Sequence, residues 1–176
     1  SQPHAISLNK FAAQTNSICN IDYFTSKYFF SEEKFKSLKY RFFPVSYSFR
    51  GNHKKFRKQF SKKCLEEYEN NTPDITIINM SGHSSEFSFF LSKLILQNNK
   101  KYIAMLGGQH YTMNERNIQY FQGADHLLVH TKSQKKDMEK MEIFKNLDIR
   151  VFPLGVEIES FKPKKVNKNI SKDPNL

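Results

Sequence analysis

The sequence predicts an α/β fold in which a Rossmann-like parallel sheet is flanked by helices. From Pro73 onward, short apolar runs rich in β-branched residues alternate with segments of helical periodicity, and the connections between them are short. This alternation is typical of βαβ units, which form parallel sheets with right-handed crossovers. The predicted strands are continuous apolar runs, a pattern that indicates helices on both faces of the sheet.

Four strands and three helices are predicted in this part of the chain. The strands are Ile75–Met80, Tyr102–Leu106, His126–His130 and Ile149–Phe152. The helices are Ser84–Gln97 with Ser84 as the N-cap, Asn114–Phe121, and a helix that is capped by Thr131 and ends near Phe144.

The first third of the chain has a less regular pattern. A helix is predicted for Pro3–Thr15, with Ala5, Leu8, Phe11 and Ala12 on its inner face. Strands are predicted for Ile21–Phe24 and Arg41–Tyr47, although Pro44 weakens the second. An amphipathic helix is predicted for Asn52–Glu69, because its apolar residues recur at every fourth position: Phe56, Phe60, Cys64 and Tyr68.

Composition and charge exclude several classes of protein. The 176 residues contain no run of 18 apolar residues and no signal-peptide pattern at the N-terminus. The two cysteines, Cys19 and Cys64, lack the spacing of a metal site or a disulfide scaffold. The net charge is +11, and nearly all of it lies in Lys27–Lys63, which contains 12 basic residues and 2 acidic ones. That segment also holds 11 of the 25 aromatic residues, so an anionic partner is expected: phosphate groups, a membrane surface or nucleic acid.

The lysines of the predicted basic helix have two interpretations. In the first, the aromatic face packs on the sheet and the lysines are solvated. In the second, Lys54, Lys55, Lys58 and Lys62 contact an anionic membrane. The two interpretations are compatible, because one face of a helix can pack while the opposite face meets lipid.

Residues that could bind a ligand or take part in catalysis follow the predicted strands. In open parallel sheets, ligands bind beyond the carboxyl ends of the strands. The segments predicted there are Ser81–His83, Gly107–His110, His130–Thr131 and Leu154–Glu157. The imidazole of His110 is either functional or a polar turn residue, whereas for His83 and His130 a polar residue near a helix cap is the favoured interpretation. A three-histidine metal site would need ligands from three separate loops, so we expect no metal and no cofactor.

The order of motifs from Pro73 to Pro163 resembles the N-terminal domain of family-four, GT-B-type retaining glycosyltransferases. Pro73-Asp74-Ile75 through His83 is similar to the family's Pro-Asp-apolar-His strand, and Ile103–His110 to its strand that ends in a histidine. Ala124–Thr131 is similar to its Ala-Asp-apolar-Ser segment, with Thr131 in place of serine. Val151–Glu157, followed by Phe161 and Pro163, resembles the Pro-Asn-Gly-Val-Asp signature, with Leu154 and Glu157 as departures.

The resemblance implies an enzyme of two domains, of which this chain is the acceptor-binding half. It implies that His110 contacts the transferred sugar. It also implies substrate contacts at Gly82, His83, Gly108, Gln109, Thr131, Gly155 and Glu157. The nucleotide-sugar donor would bind mainly to the absent domain, and a glycan or lipid-linked molecule would be the acceptor. A cytoplasmic protein, peripheral to the inner membrane face, is the expected location.

Domain organisation follows from the same resemblance. Residues 1–162 are expected to form the acceptor domain without its first strand, because Ser1-Gln2-Pro3-His4 is similar to the motif after that strand. Residues 163–176 are expected to be a linker towards the absent domain. The alternative function is a stand-alone basic α/β module that binds nucleic acid or an anionic membrane. No specific nucleic-acid motif is present in the sequence.

Overall fold

The computed structural model describes residues 3–25, 27–45, 58–79, 85–107 and 114–153. It confirms the predicted α/β fold class: a four-stranded, all-parallel sheet is flanked by helices, consistent with a Rossmann-like fold. A second sheet of three strands precedes it in the chain. The helices are α1 Pro3–Thr15, α2 Lys62–Asn70, α3 Glu86–Gln97, α4 Glu115–Gln122 and α5 Lys132–Glu139. The strands are β1 Cys19–Thr25, β2 Ser31–Phe35, β3 Leu38–Pro44, β4 Ile75–Ile78, β5 Lys101–Met105, β6 His126–Val129 and β7 Asp148–Val151.

The four-stranded sheet contains the strands predicted from the apolar runs. Its order is β4-β5-β6-β7, and each neighbouring pair is parallel. Every second side chain of these strands is buried against α3, α4 and α5; examples are Ile78, Ala104, Leu127 and Ile149. The strands follow one another in the same direction across the sheet, so right-handed crossovers place all the connecting helices on one face.

The opposite face of β4 is open, which corrects one prediction. Ile75 and Ile77 are 61% and 39% exposed, whereas Thr76 and Ile78 between and after them are buried. The continuous apolar run indicated cover on both faces, but the connecting helices of successive strands lie on only one. An apolar residue can therefore face outward, and its presence in a strand does not prove that a helix lies above it.

Two helix boundaries differ from the prediction for local reasons. Helix α3 is capped by Ser85 rather than Ser84, because the Ser85 hydroxyl accepts from the backbone N–H of Ser88. Helix α5 ends at Glu139 instead of reaching Phe144. A turn at Lys140–Met141 leads into a 3-10 helix, Glu142–Phe144, which buries Ile143 and Phe144 in the core.

The three-stranded sheet has the order β1-β3-β2, with β1 parallel and β2 antiparallel to β3. The predicted strand at Ile21–Phe24 is confirmed within β1. The predicted strand Arg41–Tyr47 begins earlier, at Leu38, and ends at Pro44, the residue expected to interrupt it. Strand β2 was not predicted, because Ser31–Phe35 is mostly polar and becomes a strand only by pairing with β3.

Helix α1 is confirmed, and its packing is only partly as expected. Ala12 is buried against Leu38, and Leu8 lies beside them. Phe11 is 52% exposed, so its predicted place on the inner face is wrong. The helix covers the side of β3 that carries Leu38 and Tyr40, and the opposite side, with Arg41 and Phe43, faces α2.

The predicted helix Asn52–Glu69 is wrong over residues 58–61, and residues 52–57 lie outside the described ranges. Ser61 has an extended backbone and caps α2 by accepting from the N–H of Cys64, so the helix begins at Lys62. Cys64 and Tyr68 are buried as predicted. Phe60 packs from outside the helix, with its ring centroid 5.6 Å from that of Phe87. Lys58 lies in a turn, while Phe56, Lys54 and Lys55 lie outside the described residues.

A buried guanidinium joins the three-stranded sheet to α2. Arg41 donates from Nε and Nη2 to the two carboxylate oxygens of Asp22, at 2.7 Å each, and from Nη1 to Glu67 at 3.0 Å. The Tyr68 hydroxyl donates to Asp22 at 3.0 Å. Asp22 and Arg41 are paired residues of β1 and β3, so the ion pair crosses the strands and reaches the helix. Burial lowers the pKa of Arg41, but hydrogen bonding to Asp22 and the charges of Asp22, Tyr68 and Glu67 together raise it above its usual value.

We expect Arg41→Met to lower the free energy of unfolding by about 3–5 kcal/mol, because Asp22 would remain buried without its cation. The matched control is Lys39→Met on the same strand. Lys39 is half-exposed and forms a single ion pair with Glu32, so a change below about 1 kcal/mol is expected. Urea unfolding measures both variants, and equal losses would show that the Arg41 cluster does not hold the sheet to α2.

Candidate functional site

Most residues predicted to form the site lie outside the described residues. They are Gly82, His83, Gly108, Gln109, His110, Gly155 and Glu157, together with the membrane-contact residues Lys54 and Lys55. Thr131, Lys58 and Lys62 are described, and both lysines are exposed. The described part of the site is therefore the rim formed by the carboxyl ends of β5, β6 and β7.

The three strand ends are held together by backbone hydrogen bonds beyond the regular strands. The N–H of Leu106, just after β5, donates to the carbonyl of Leu128 at 3.0 Å. The N–H of Phe152, just after β7, donates to the carbonyl of Val129 at 2.7 Å. These bonds extend the backbone pairing of the sheet beyond the strand ends, to the residues at which the loops begin.

Gln134 connects this rim to the first turn of α5. Its side-chain nitrogen donates to the carbonyl of Leu106 at 3.0 Å, and its side-chain oxygen accepts from the N–H of His130 at 3.0 Å. The side chain is buried, so these bonds are formed away from water, where leaving them unmade would be costly. The analysis of the sequence missed Gln134. The spacing Thr131-x-x-Gln134, typical of a capping box, is the signal that marks it.

The imidazole of His130 spans the ends of β6 and β7. Its Nδ1 lies 3.2 Å from the carbonyl oxygen of Phe152. A carbonyl oxygen only accepts, so Nδ1 carries the hydrogen of this contact. A Cβ placed on Gly107 would lie 3.7 Å from Nε2, so the ring stands against the glycine that follows β5. His130 thus connects the ends of β5, β6 and β7 at one point of the rim.

Thr131 is observed as a helix cap. Its hydroxyl accepts from the N–H of Gln134 at 3.0 Å, as predicted from its position before α5. The capping hydrogen bond is a sufficient reason for a hydroxyl group at position 131, and no ligand is needed to account for it. A substrate contact at Thr131 stays a prediction.

Ion pairs between carboxylates and basic side chains lie at the amino ends of the strands. Asp74, Asp125 and Asp148 form ion pairs with Lys100, Lys101 and Arg150. Hydrogen bonds from these cations lower the pKa of each carboxyl group, which keeps the carboxylates ionised at neutral pH. The sheet therefore has salt-bridged carboxylates at its amino edge and histidine at its carboxyl edge.

The titratable groups of the core are not suited to nucleophilic chemistry. Burial raises the pKa of the Cys64 thiol and of the Tyr68 hydroxyl, so both are neutral at neutral pH. Burial also raises the pKa of Tyr102 to about 12. Among the residues that the structure describes, no cluster of three or more His, Cys, Asp or Glu side chains has the arrangement of a metal site. No described helix is both long and apolar enough to cross a membrane.

Comparisons with known proteins found no matching family model, no similar curated protein and no similar solved structure. The family resemblance therefore rests on the motifs of the chain alone.

We expect Thr131→Ala to lower the free energy of unfolding by about 1 kcal/mol, because α5 would lose its N-cap. Thr131→Ser keeps the hydroxyl and should retain most of that stability. Urea unfolding of the two variants gives the comparison. Unchanged stability of the alanine variant would mean that the hydroxyl has another purpose, such as binding a substrate.

Proposed function

We propose that this chain is the acceptor-binding half of a retaining glycosyltransferase. The enzyme would transfer a sugar from a nucleotide-sugar donor to a glycan or a lipid-linked acceptor. The observation that carries the proposal is the position of the four family-like motifs on one parallel sheet. Asp74 precedes β4, Gly107 follows β5, Thr131 follows β6 and Pro153 follows β7. Motifs separated in sequence are thus associated with consecutive, neighbouring strands, and all four continue along the chain past a carboxyl end.

The arrangement of helices supports a ligand site near β1 and β4. Helix α1 lies on one side of the three-stranded sheet, and α2 lies on the other, where α3 also contacts β1 through Phe24 and Phe87. Strands β1 and β4 are not paired with each other among the described residues. In α/β proteins, the place where helices change from one face to the other is the usual position of a ligand crevice.

The residues outside the described ranges receive their roles from the motifs. His110 would contact the transferred sugar and stabilise the charge that develops in an oxocarbenium-like transition state. Gly108, Gln109 and the Gly82-His83 turn would line the acceptor side, and Thr131, Gly155 and Glu157 would add substrate contacts. Members of the family are thought to react on the front face of the sugar, without a protein nucleophile. The proposal therefore needs neither Cys64 nor a metal ion.

The other half of the cleft would come from a second domain that binds the nucleotide sugar. The Glu-x7-Glu motif of that domain does not occur in these 176 residues. Sugar transfer therefore needs the complete protein, and this chain alone would be inactive. The basic segment Lys27–Lys63 supports a place at an anionic membrane face, where lipid-linked acceptors are found.

In the complete protein, we expect His110→Ala to lower kcat about a hundredfold or more, because one stabilising contact to the transition state is lost. The control is His126→Ala, at the amino edge of the sheet beside Asp125 and Asp148. Assays of sugar transfer, paired with unfolding curves, measure both. A parallel loss of stability and activity in the His110 variant would indicate a turn residue. Transfer by the isolated chain would contradict the two-domain proposal.

The electrostatic part of membrane binding is tested by changing Lys54, Lys55, Lys58 and Lys62 together to glutamine. We expect weaker association with anionic liposomes, since each basic side chain near such a surface contributes about 1 kcal/mol. The control changes four exposed lysines elsewhere, Lys132, Lys136, Lys140 and Lys145, and so removes the same charge. If both variants bind equally well, no local basic surface is responsible.

A further inference from the structure

Two adjacent aromatic side chains are exposed in the β1–β2 loop, residues 27–30. Tyr28 is 100% exposed and Phe29 is 64% exposed. The next residue, Phe30, turns back into the protein, with its ring centroid 5.0 Å from that of Phe43. Exposing two neighbouring aromatic rings to water is unfavourable, and such an arrangement is typical of a binding surface.

The loop is held at both ends, so the exposure of the two rings is a consequence of the fold. On one side, the N–H of Lys27 donates to the Thr25 hydroxyl at 3.2 Å. On the other side, β2 begins at Ser31, which pairs with Phe42 of β3. Phe30 anchors the loop between these points, and Tyr28 and Phe29 are left at its tip.

Exposed lysines lie at the same edge of the sheet. The N–H of Val45 donates to the carbonyl of Thr25, which brings the ends of β1 and β3 together. The Ser61 hydroxyl donates to the carbonyl of Pro44 at 2.6 Å and places the start of α2 at this edge. Exposed lysines therefore flank the β1–β2 loop along the chain and at the nearby helix start; they are Lys27, Lys58 and Lys62.

The charge around this edge favours an anionic partner. The residues between Val45 and Lys58 include Arg50, Lys54, Lys55 and Arg57 and no acidic residue. Glu86, at the start of α3, is the exposed carboxylate next to Phe87, which contacts Phe24 of β1. On β2, Glu32 is paired with Lys39, and Glu33 is exposed. By sequence, residues 27–63 contain 12 basic and 2 acidic residues, so the segment that carries the exposed rings is strongly cationic.

We propose that the β1–β2 loop is a membrane-insertion element that places Tyr28 and Phe29 in the headgroup region of an anionic bilayer. Lys27, Lys58 and Lys62 would contact the lipid phosphates around them. Tyr28 suits this region because its ring is apolar and its hydroxyl can reach water, and the apolar ring of Phe29 adds buried area. Lysines keep their charged ends at the surface. Single-stranded nucleic acid would instead require rings displayed along a basic groove. The inference deepens the membrane part of the proposed function and does not depend on sugar transfer.

The chain contains no tryptophan, so a single introduced indole reports on one position. In Phe29→Trp, we expect a blue shift of emission and protection from acrylamide when vesicles with about 30 mol% phosphatidylserine are added, because the ring enters an apolar region. The control is Ile18→Trp. Ile18 is 91% exposed and lies before β1, at the opposite end of that strand, so its emission should not change.

Vesicle co-sedimentation gives the second measurement. We expect Tyr28→Ser/Phe29→Ser to bind the same vesicles roughly tenfold more weakly than the unaltered chain, because two inserted rings are lost. Ile18→Ser/Phe35→Ser removes two exposed apolar side chains from the amino end of the sheet and should bind normally. Unchanged emission at position 29 together with normal binding would overturn the proposal. Tighter binding to an oligonucleotide, lost in the Tyr28/Phe29 variant, would assign the loop to nucleic acid.

These outcomes are separate from those that test the transferase. Loss of vesicle binding with sugar transfer to a water-soluble acceptor retained would support the membrane role of the loop. Absence of transfer in the complete protein would remove the enzyme proposal and leave the vesicle result intact.

Discussion

The contacts of Arg41 determine how the first part of this protein joins the rest. A guanidinium can be buried only where carboxylates or other acceptors satisfy its donors. Asp22 on the neighbouring strand and Glu67 on α2 meet that requirement, with Tyr68 supporting Asp22. The three-stranded sheet and α2 must therefore take one relative position. The aromatic contacts of Phe24 and Phe60 with Phe87 extend this arrangement to α3 and hence to the larger sheet.

The Phe24–Phe87 contact relates the candidate features of the two sheets. Phe24, near the carboxyl end of β1, contacts the first turn of α3, which follows the carboxyl end of β4 along the chain. The exposed β1–β2 loop and the His130 rim therefore belong to the carboxyl edges of the two sheets. A lipid-linked acceptor has a headgroup and an apolar anchor, and an edge that combines a polar rim with exposed aromatic rings suits both parts. That combination gives the proposed transferase and the proposed membrane element a common physical basis.

The differences between prediction and structure arise where local pattern and tertiary contact disagree. The four-residue spacing from Phe56 to Tyr68 predicted one continuous helix, yet Ser61 ends that pattern by capping α2 and donating to Pro44. The apolar face of the pattern is retained, since Phe60, Cys64 and Tyr68 all pack inward. In β4, Ile75 and Ile77 have the composition of a doubly covered strand but lie on the open face. Periodicity shows which residues are apolar, whereas the positions of the helices decide which of them are covered.

The sequence by itself determined the α/β class, the strands of the parallel sheet and the cap at Thr131, because these depend on short-range periodicity and on side-chain bonds to nearby backbone. Only the tertiary structure decided that polar β2 is a strand, that Gln134 connects Leu106 to His130, and that Asp22, Arg41 and Glu67 form one buried cluster. These features join residues that are distant in sequence or polar in character. Apart from the capping-box spacing at Gln134, no local pattern distinguishes them from solvated side chains. Exposure of Tyr28 and Phe29 belongs to the same class, since it depends on which ring of the loop, here the 36% exposed Phe30, contacts Phe43 of β3.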